Sequence, residues 1–290
     1  MKDVILYVSS YSSERNEMEE SRTWRDLLAR IIDDPQEKQS VADASPEGIP
    51  VTLYNRVLHL LCTTSYERRF WTTSTAVLND ALKRLDPDRL GLQLSIQQCM
   101  APAYGNTVRC LRARLALGTP PWSELVEQKR FFGAESLVGF ATSIGRQHTM
   151  VTINEKQRLP DYLPEHTMSA VASPIMYIGR VAGCLLVVST QPGYFCQPAL
   201  LDLIQNYAEL LMLAFHPEDF YDLECIELQP MPSLQVQRSY LSSLQQRILG
   251  LLKKAATDHN PLNYDVAEQQ ALWQVEEEFL QLSTPRSAEE

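Results

Sequence analysis

The sequence predicts an α+β fold in which an antiparallel sheet is flanked by helices. Two segments, 90–100 and 108–117, alternate apolar and polar residues with a period of two, which is typical of strands. Three further strand-like segments follow, and the last two, 169–177 and 181–189, are joined by a hairpin-like turn around Gly179. Because helical periodicity precedes and follows this region, we expect helices to cover the sheet.

Each helix of the strand region is predicted from apolar residues spaced three and four apart. A long helix over 66–85 precedes the first strand, and a helix over 198–215 closes the region. Two short helices, around 122–132 and 136–144, separate the second strand from the third, and a polar loop over 154–166 follows that strand. The predicted order is therefore helix, two strands, two short helices, three strands and a closing helix.

Helices are also predicted on both sides of this core. Residues 23–61 divide into three short helices, with a turn at 45–48 before the third. At the other end, a proline-rich connector leads to helices over 236–256 and 265–282, which we expect to form a hairpin. The chain thus adds a helical block at each end of its strand region.

Composition places the chain among soluble folded proteins. Of its 290 residues, 44% are hydrophobic and 21% charged, and no apolar run is long enough to span a membrane. The N-terminus lacks the apolar run of a secretory signal, so we expect a cytoplasmic protein. The net charge of −10 is concentrated after residue 216, which argues against nucleic-acid binding by charge alone.

The cysteines and histidines do not form a recognisable site. Six cysteines are scattered singly, none in a Cys-x-x-Cys pair, and the five histidines are too far apart in sequence for metal-ligand spacing. We therefore expect reduced thiols, mostly in the core, and predict neither a metal site nor a cofactor.

Three local motifs resemble the GAF domain family. The segment from Gly133 through Gly139 to Gly145 resembles one glycine-rich GAF motif, and the segment from Pro174 through Gly179 to Gly183 resembles the GAF hairpin. The segment 192–195, followed by the helix around Leu200, resembles the end of the GAF pattern. The resemblance implies a sensor domain over 66–216. The proline-rich connector and the helical extension over 217–290 lie outside the resemblance. We expect Gly179 to supply the positive φ of a tight turn and Gly183 to let its strand pack closely against a helix.

The N-terminal block resembles the helix-turn-helix head of bacterial regulators that carry a GAF domain. This resemblance implies a head over 21–65, although the turn at 44–49 is longer than usual. The polar residues 1–20, which end in an acidic run, are expected to be a flexible lead-in. If the head binds DNA, the outward-facing candidates for contact are Thr52, Asn55, Arg56 and His59. The alternative is a degenerate helical cap that only packs on the GAF-like domain.

A ligand pocket is expected between the sheet and the short helices at 122–132 and 136–145. The loop over 154–166 has the length of a lid. The motifs of GAF domains that bind cyclic nucleotides or bilins are missing from the sequence. The candidates to line the pocket are Trp122, Phe132, Phe140, His148, Tyr162 and Ser173. The alternative for His148 is a strand-end residue whose hydrogen bonds are satisfied, and for the other five it is core packing.

These features predict a regulatory protein whose GAF-like domain binds a small molecule or a partner and biases the head, with DNA as a possible target. The alternative is a scaffold for dimerisation and protein interaction that does not bind DNA. We expect no enzyme, because the sequence shows no nucleophile–base pair or metal cluster. We also expect a homodimer, because the helices at 66–85, 198–215 and 236–256 carry more apolar surface than one sheet can cover.

Overall fold

The computed structural model describes most of the chain after the first 47 residues. The predicted lead-in and the first two helices of the head lie outside the described residues, as does the middle of the predicted helix at 122–132. The described residues are 48–122, 129–150, 162–258, 260 and 262–283.

The centre of the molecule is one antiparallel sheet with the strand order β3-β2-β1-β6-β5-β4 and a short strand, β7, paired with β6. The predicted α+β class is therefore confirmed. The strands are β1 (Leu92–Cys99), β2 (Leu111–Gly118), β3 (Phe131–Phe132), β4 (His148–Met150), β5 (Ser169–Tyr177), β6 (Arg180–Ser189) and β7 (Tyr221–Asp222).

Seven α-helices in the described part of the chain surround this sheet. They are α1 (Val51–Thr63), α2 (Tyr66–Leu85), α3 (Leu137–Ile144), α4 (Pro198–Leu211), α5 (Leu234–Leu241), α6 (Leu244–Thr257) and α7 (Tyr264–Ser283). The single helix predicted over 236–256 is two helices. Near the break, the Ser242 and Ser243 hydroxyls donate to the carbonyls of Ser239 and Tyr240 over 2.7 and 2.8 Å, and such local hydrogen bonds compete with the helical ladder.

The prediction of a short helix around 122–132 is wrong at its C-terminal end. Phe131 and Phe132 form β3, which pairs with Arg112 and Leu111 of β2. Both rings are buried, but on opposite faces of the sheet edge, because they belong to different core clusters. A run of two aromatic residues is too short to show this by periodicity.

Each face of the sheet has its own core. On one face, α1, α2 and α4 pack against β1 and β6 through residues such as Val77, Leu94 and Tyr207. On the other face, α3 and the segment after β7 pack against β5 and β6 through residues such as Val138 and Ala172. Since both faces are covered, the strands are buried almost throughout.

The two glycines singled out in the hairpin have different roles. Ile178 and Gly179 have φ values of 48° and 76°, as a tight two-residue turn requires, so the prediction for Gly179 is confirmed. Gly183 packs against a strand rather than a helix. A Cβ atom there would lie 2.0 Å from the carbonyl oxygen of Gln97 on β1, so a side chain would push the two strands apart.

A bulge in β2 changes which residues face each core. The register between β1 and β2 shifts after Ile96, so that Ile96 pairs with Leu115, Gln97 pairs with Ala113, and Arg114 is the extra residue. As a result, Ala113 belongs to the core under α3 and Leu115 to the core under α2. The regular alternation in the sequence does not continue through the strand.

The C-terminal helices pack against the β2–β3 edge of the sheet and form a third core. Phe279 of α7 and Phe131 of β3 contact each other edge to face, with ring centroids 5.4 Å apart. Gln237 of α5 is fully buried. Its Oε1 accepts from the Phe131 amide over 2.8 Å, and its Nε2 donates to the Phe131 carbonyl over 3.0 Å. The amide side chain therefore pairs with the edge strand as another strand would.

Polar contacts also join α7 to the sheet. Arg109, just before β2, donates to Glu276 over 3.1 Å and to Glu277 over 3.2 Å, and the Trp273 indole donates to the Ala101 carbonyl over 2.6 Å. The Glu276 side chain is only 1% exposed, and burial raises the pKa of its carboxyl. None of the described helices has the length and apolar character needed to cross a membrane.

Candidate functional site

The face where the sequence predicts a ligand pocket is filled by side chains. Between the sheet and α3, residues such as Leu137, Ala141 and Met150 pack against Ala170 and Leu186. Much of the predicted lid at 154–166 lies outside the described residues. The described part of this face is therefore a packed core.

The six predicted pocket residues lie in three places. Phe132 and Tyr162 are buried together in the core under α3, and Trp122 packs at its margin. Phe140 and His148 contact each other with ring centroids 4.8 Å apart, and both are exposed. Ser173 accepts a hydrogen bond from Gln147 over 2.6 Å. It lies two residues after Val171 on β5 and therefore on the same face, which belongs to the core under α2 and α4. The structure does not bring the set together, because strand alternation turns Ser173 to the other face of the sheet and because Phe140 and His148 lie at the surface.

A cavity of about 410 Å³ lies instead beside β2 and β3, next to the C-terminal helices. Its volume falls in the range of small-molecule sites. Its walls come from α2, from β2 with the start of β3, from the segment before β7, and from the three C-terminal helices α5, α6 and α7. Lining residues used below are Arg69, Phe70, Trp71, Arg112, Arg114, Lys129, Arg130, Asp219, Asp265, Glu268 and Gln269.

Positive charge predominates on the walls of this cavity. Five lysine or arginine residues line it against three acidic residues, whereas the whole chain has a net charge of −10. The basic residues lie on α2, on β2 and just before β3. The acidic residues Asp265 and Glu268 lie on α7, and Asp219 lies before β7. Such a local excess of arginine favours an anionic ligand.

Arg130 is the most deeply buried of these basic residues, at 8% exposure. Its guanidinium carbon lies 5.0 Å from the ring centroid of Phe132 and 5.8 Å from that of Tyr162. Within the described part of the chain, its Nε and NH2 atoms are buried and have no hydrogen-bond partner. Burial lowers the pKa of Arg130 to about 10, so the group is still charged at neutral pH.

Tyr162 and Glu135 help to fix the surroundings of Arg130. The Tyr162 hydroxyl donates to the Met231 carbonyl, and burial raises the pKa of Tyr162 to about 12. Glu135 accepts from the amides of Gly133 and Met231, each over 3.0 Å. The connector after β7 is thereby held beside Arg130 by hydrogen bonds from both sides.

Arg114 is held by contacts that leave it little freedom. Its guanidinium carbon lies 4.6 Å from the Phe70 ring centroid and 5.7 Å from that of Trp71, which are cation–π contacts with α2. Its NH1 also donates to Gln98 over 2.7 Å, and Gln98 donates to Asp219 over 2.9 Å. The bulged position thus positions a cation between the sheet and α2.

The predicted DNA-contact residues lie on α1. Thr52, Asn55 and His59 are exposed and Arg56 is half-buried, whereas Leu53 and Val57 anchor the helix in the core. Arg56 is the only lysine or arginine in the sequence of α1. The helix is therefore accessible but contributes little positive charge.

Sequence reasoning missed the cavity because its residues are far apart in the chain. The alternation of Arg112 and Arg114 along β2 was visible as a polar face. Nothing in the sequence, however, placed α2 and α7 on either side of that strand. The long-range packing of the C-terminal helices creates the site.

No known protein family matches the sequence, and no curated protein matches it. Solved structures with a similar fold include the GAF domain of an Acinetobacter phosphoenolpyruvate-protein phosphotransferase, with a TM-score of 0.39 and 16% identity over 57% of this chain and 90% of that one. Another is the GAF domain region of a putative membrane protein from Geobacter sulfurreducens, with a TM-score of 0.35 and 20% identity over 56% and 97% of the two chains. The likeness concerns the fold alone, which is GAF-like.

The expectation that the chain is not an enzyme rested on the lack of a nucleophile–base pair or metal cluster in the sequence, and similar structures that are enzymes contradict it. Similar structures also include the type II free methionine-R-sulfoxide reductase of Thermoplasma acidophilum, with a TM-score of 0.37 and 15% identity over 54% of this chain and 96% of that one. Related reductases from Neisseria meningitidis and Staphylococcus aureus match as well. A search for short motifs does not exclude catalysis, because catalytic groups can come from distant segments. These low identities do not establish an activity for this chain.

Proposed function

We propose that the chain is a regulatory sensor in which the cavity beside β2 and β3 binds a small anionic molecule and the bound state biases the N-terminal helical head. The observation that carries this proposal is the buried Arg130 guanidinium in the wall of a cavity with an excess of basic residues. Burying a charge without a partner costs several kcal/mol in proteins. A bound anion would remove much of that cost.

The position of the cavity supports a regulatory role. Its walls combine α2 with the C-terminal helices, so a bound molecule contacts elements from both ends of the described chain. A ligand that binds one arrangement of these elements more tightly than another shifts the population toward it. In our proposal, binding of the ligand therefore changes how these helices pack against one another.

Arg69 connects the cavity to α1. It lines the cavity, and its NH2 donates to the Leu61 carbonyl in the last turns of α1 over 3.2 Å. The same helix packs through Leu53 and Val57 into the core that it shares with α2. In our proposal, an anion that attracts Arg69 alters its contact with α1 and so changes how the head is presented.

The proposal is tested by a thermal-shift screen of the full chain against small metabolites of mixed charge. We expect an anionic compound to raise the melting temperature. At a hundred times its dissociation constant, it would add about 2.7 kcal/mol to the free energy of unfolding. Gln269→Trp places a large ring in the cavity and should remove the shift.

Gln270→Trp is the matched control, since Gln270 is also half-buried on α7 but does not line the cavity. A ligand that stabilises the Gln269→Trp variant as much as the natural chain would bind elsewhere and contradict the proposal. If no compound shifts the protein, the scaffold alternative is favoured.

DNA is the proposed target of the head because Thr52, Asn55 and His59 are exposed on one helix. A gel-shift experiment with random DNA at low salt tests this step, with and without the ligand from the screen. We expect retardation that weakens as salt is raised. If no retardation occurs at low salt, the target is not DNA and the head acts on a protein partner.

A further inference from the structure

The two sides of the cavity carry opposite charge. The sheet side contributes Arg112, Lys129 and Arg130. The α7 side contributes Asp265, Glu268 and Gln269, with no basic residue among the α7 positions that line the cavity. Because these two walls carry opposite charge, a molecule with a single charge is electrostatically complementary to only one of them.

Arg130 defines the end where an anionic group would bind. It is nine-tenths buried, and neither its Nε nor its NH2 has a hydrogen-bond partner among the described residues. The rings of Phe132 and Tyr162 provide only cation–π contacts, which are weaker than a charge-assisted hydrogen bond. A buried cation in this environment is stabilised by the charge of an anionic group, such as a phosphate or a carboxylate, bound in the cavity beside it.

Glu268 marks the end of the cavity that α7 lines. It is half-buried on the inner side of α7, next to Gln269, whereas Asp265 is exposed at the start of the helix. A carboxylate and an amide oxygen together accept hydrogen bonds from a cationic amine. The two ends thus differ in the groups that they can bind.

We propose that the cavity binds a small bipolar metabolite, with a phosphate or carboxylate at the Arg130 end and an ammonium group at the Glu268 end. This inference rests on the proposed function, whose ligand it specifies. A cavity of about 410 Å³ has room for such a molecule with a linker between its charged groups. Phe70 and Trp71 provide an apolar wall along that linker.

Three small probes separate the parts of this proposal: O-phosphoethanolamine has both charged groups, ethyl phosphate has only the anion, and ethanolamine has only the amine. Binding is followed by titration of the full chain at constant ionic strength, since surface charges are screened by salt. We expect O-phosphoethanolamine to bind about tenfold more tightly than ethyl phosphate, and ethanolamine to bind more weakly than either.

Charge variants assign the two ends. Arg130→Gln should weaken both phosphate probes by about tenfold, whereas Glu268→Gln should weaken O-phosphoethanolamine by about tenfold and leave ethyl phosphate within about twofold. If Arg130→Gln does not fold, Lys129→Gln, at an exposed position of the same wall, tests the anionic end instead and should also weaken both phosphate probes. Lys253→Gln is the control, because Lys253 is exposed on α6 and does not line the cavity.

Four outcomes would overturn the inference. One is that no probe binds, and another is that ethyl phosphate binds as tightly as O-phosphoethanolamine. The third is that Glu268→Gln affects both phosphates equally, and the fourth is that Lys253→Gln weakens them as much as Arg130→Gln does. If none of the probes binds but another anionic compound does, and Gln269→Trp blocks it, the inference fails while the proposed binding of an anion in the cavity stands.

Discussion

Two buried charges in the molecule differ in how they are compensated. Glu276 lies on α7 with Arg109 at 3.1 Å, so its ionised form has a direct partner. The Nε and NH2 atoms of Arg130, within the residues that the structure describes, have none. A buried charged side chain that serves the fold is normally paired. An unpaired one lowers stability and indicates a functional site.

Replacing Arg130 should therefore stabilise the ligand-free protein. We expect Arg130→Met to raise the free energy of unfolding by about 1 kcal/mol, because the gain from removing a buried charge is partly offset by lost cation–π contacts. Urea denaturation measures the change. As a control, Arg247→Met removes a bidentate pair with Glu278 and should lower stability by up to about 1 kcal/mol. A large loss of stability in Arg130→Met would show that the arginine serves the fold.

The Arg109–Glu276 pair gives a pH-dependent prediction. Arg109→Met should lower the free energy of unfolding at pH 7 by about 2 kcal/mol, less than for a fully buried pair because Arg109 is partly exposed. Burial already raises the pKa of Glu276, and losing Arg109 raises it further. A carboxyl with a raised folded-state pKa binds its proton more tightly in the folded protein, so the deficit should shrink as pH falls from 7 to 5.

Urea denaturation at both pH values checks this prediction, with Glu277→Gln as the control. Glu277 is 55% exposed, and its loss should cost less than about 0.5 kcal/mol at either pH. A deficit in Arg109→Met that stays constant between pH 7 and 5 would mean that Glu276 remains ionised without its partner.

At the scale of elements, Gln237 is the residue that ties α5 to the sheet edge. Gln237→Leu would leave the amide and the carbonyl of Phe131 without their partner, which should cost about 2 kcal/mol. Gln235→Leu, on the exposed side of α5, should change stability by less than about 0.5 kcal/mol. Chemical denaturation compares the two, and equal effects would contradict the role assigned to Gln237.

Strands and long helices could be predicted from the sequence, but the contacts that define the site could not. The alternation in 90–100 and 108–117 predicts β1 and β2, since a buried face imposes a period of two. β3 could not be predicted from the sequence, because a strand of two residues is too short to show a period. The break between α5 and α6 depends on serine hydroxyls that bond to nearby carbonyls, and periodicity does not register them.

Arg130 illustrates the same limit at the site. Its sequence neighbours, Lys129 and Phe131, indicate neither burial nor exposure. Burial follows from contacts with Phe132 and Tyr162, and Tyr162 comes from a segment more than thirty residues away. The predicted pocket included both aromatic residues but not the arginine between them, because aromatic residues are expected in pockets and a lone arginine is expected at the surface.

At the scale of the whole molecule, self-association stays a prediction. The apolar stripes of α2 and α4 pack within one chain, and α6 packs against the core formed with α7. The remaining exposed apolar residues include Val51, Tyr54 and Leu58 on α1. Light scattering at micromolar concentration should give twice the chain mass of 33.0 kDa for a two-fold dimer, and a constant 33.0 kDa would contradict it.

The central claim is that the sheet edge, α2 and the C-terminal helices together bind one anionic ligand. Hydrogen exchange of the full chain, measured with and without saturating O-phosphoethanolamine, tests it most directly, because slower exchange reports which segments a ligand stabilises. We predict slower exchange in three separate segments at once: the first turns of α2, residues 111–114 of β2, and the first half of α7. Unchanged exchange in all three, or a change confined to the face covered by α3, would contradict the claim.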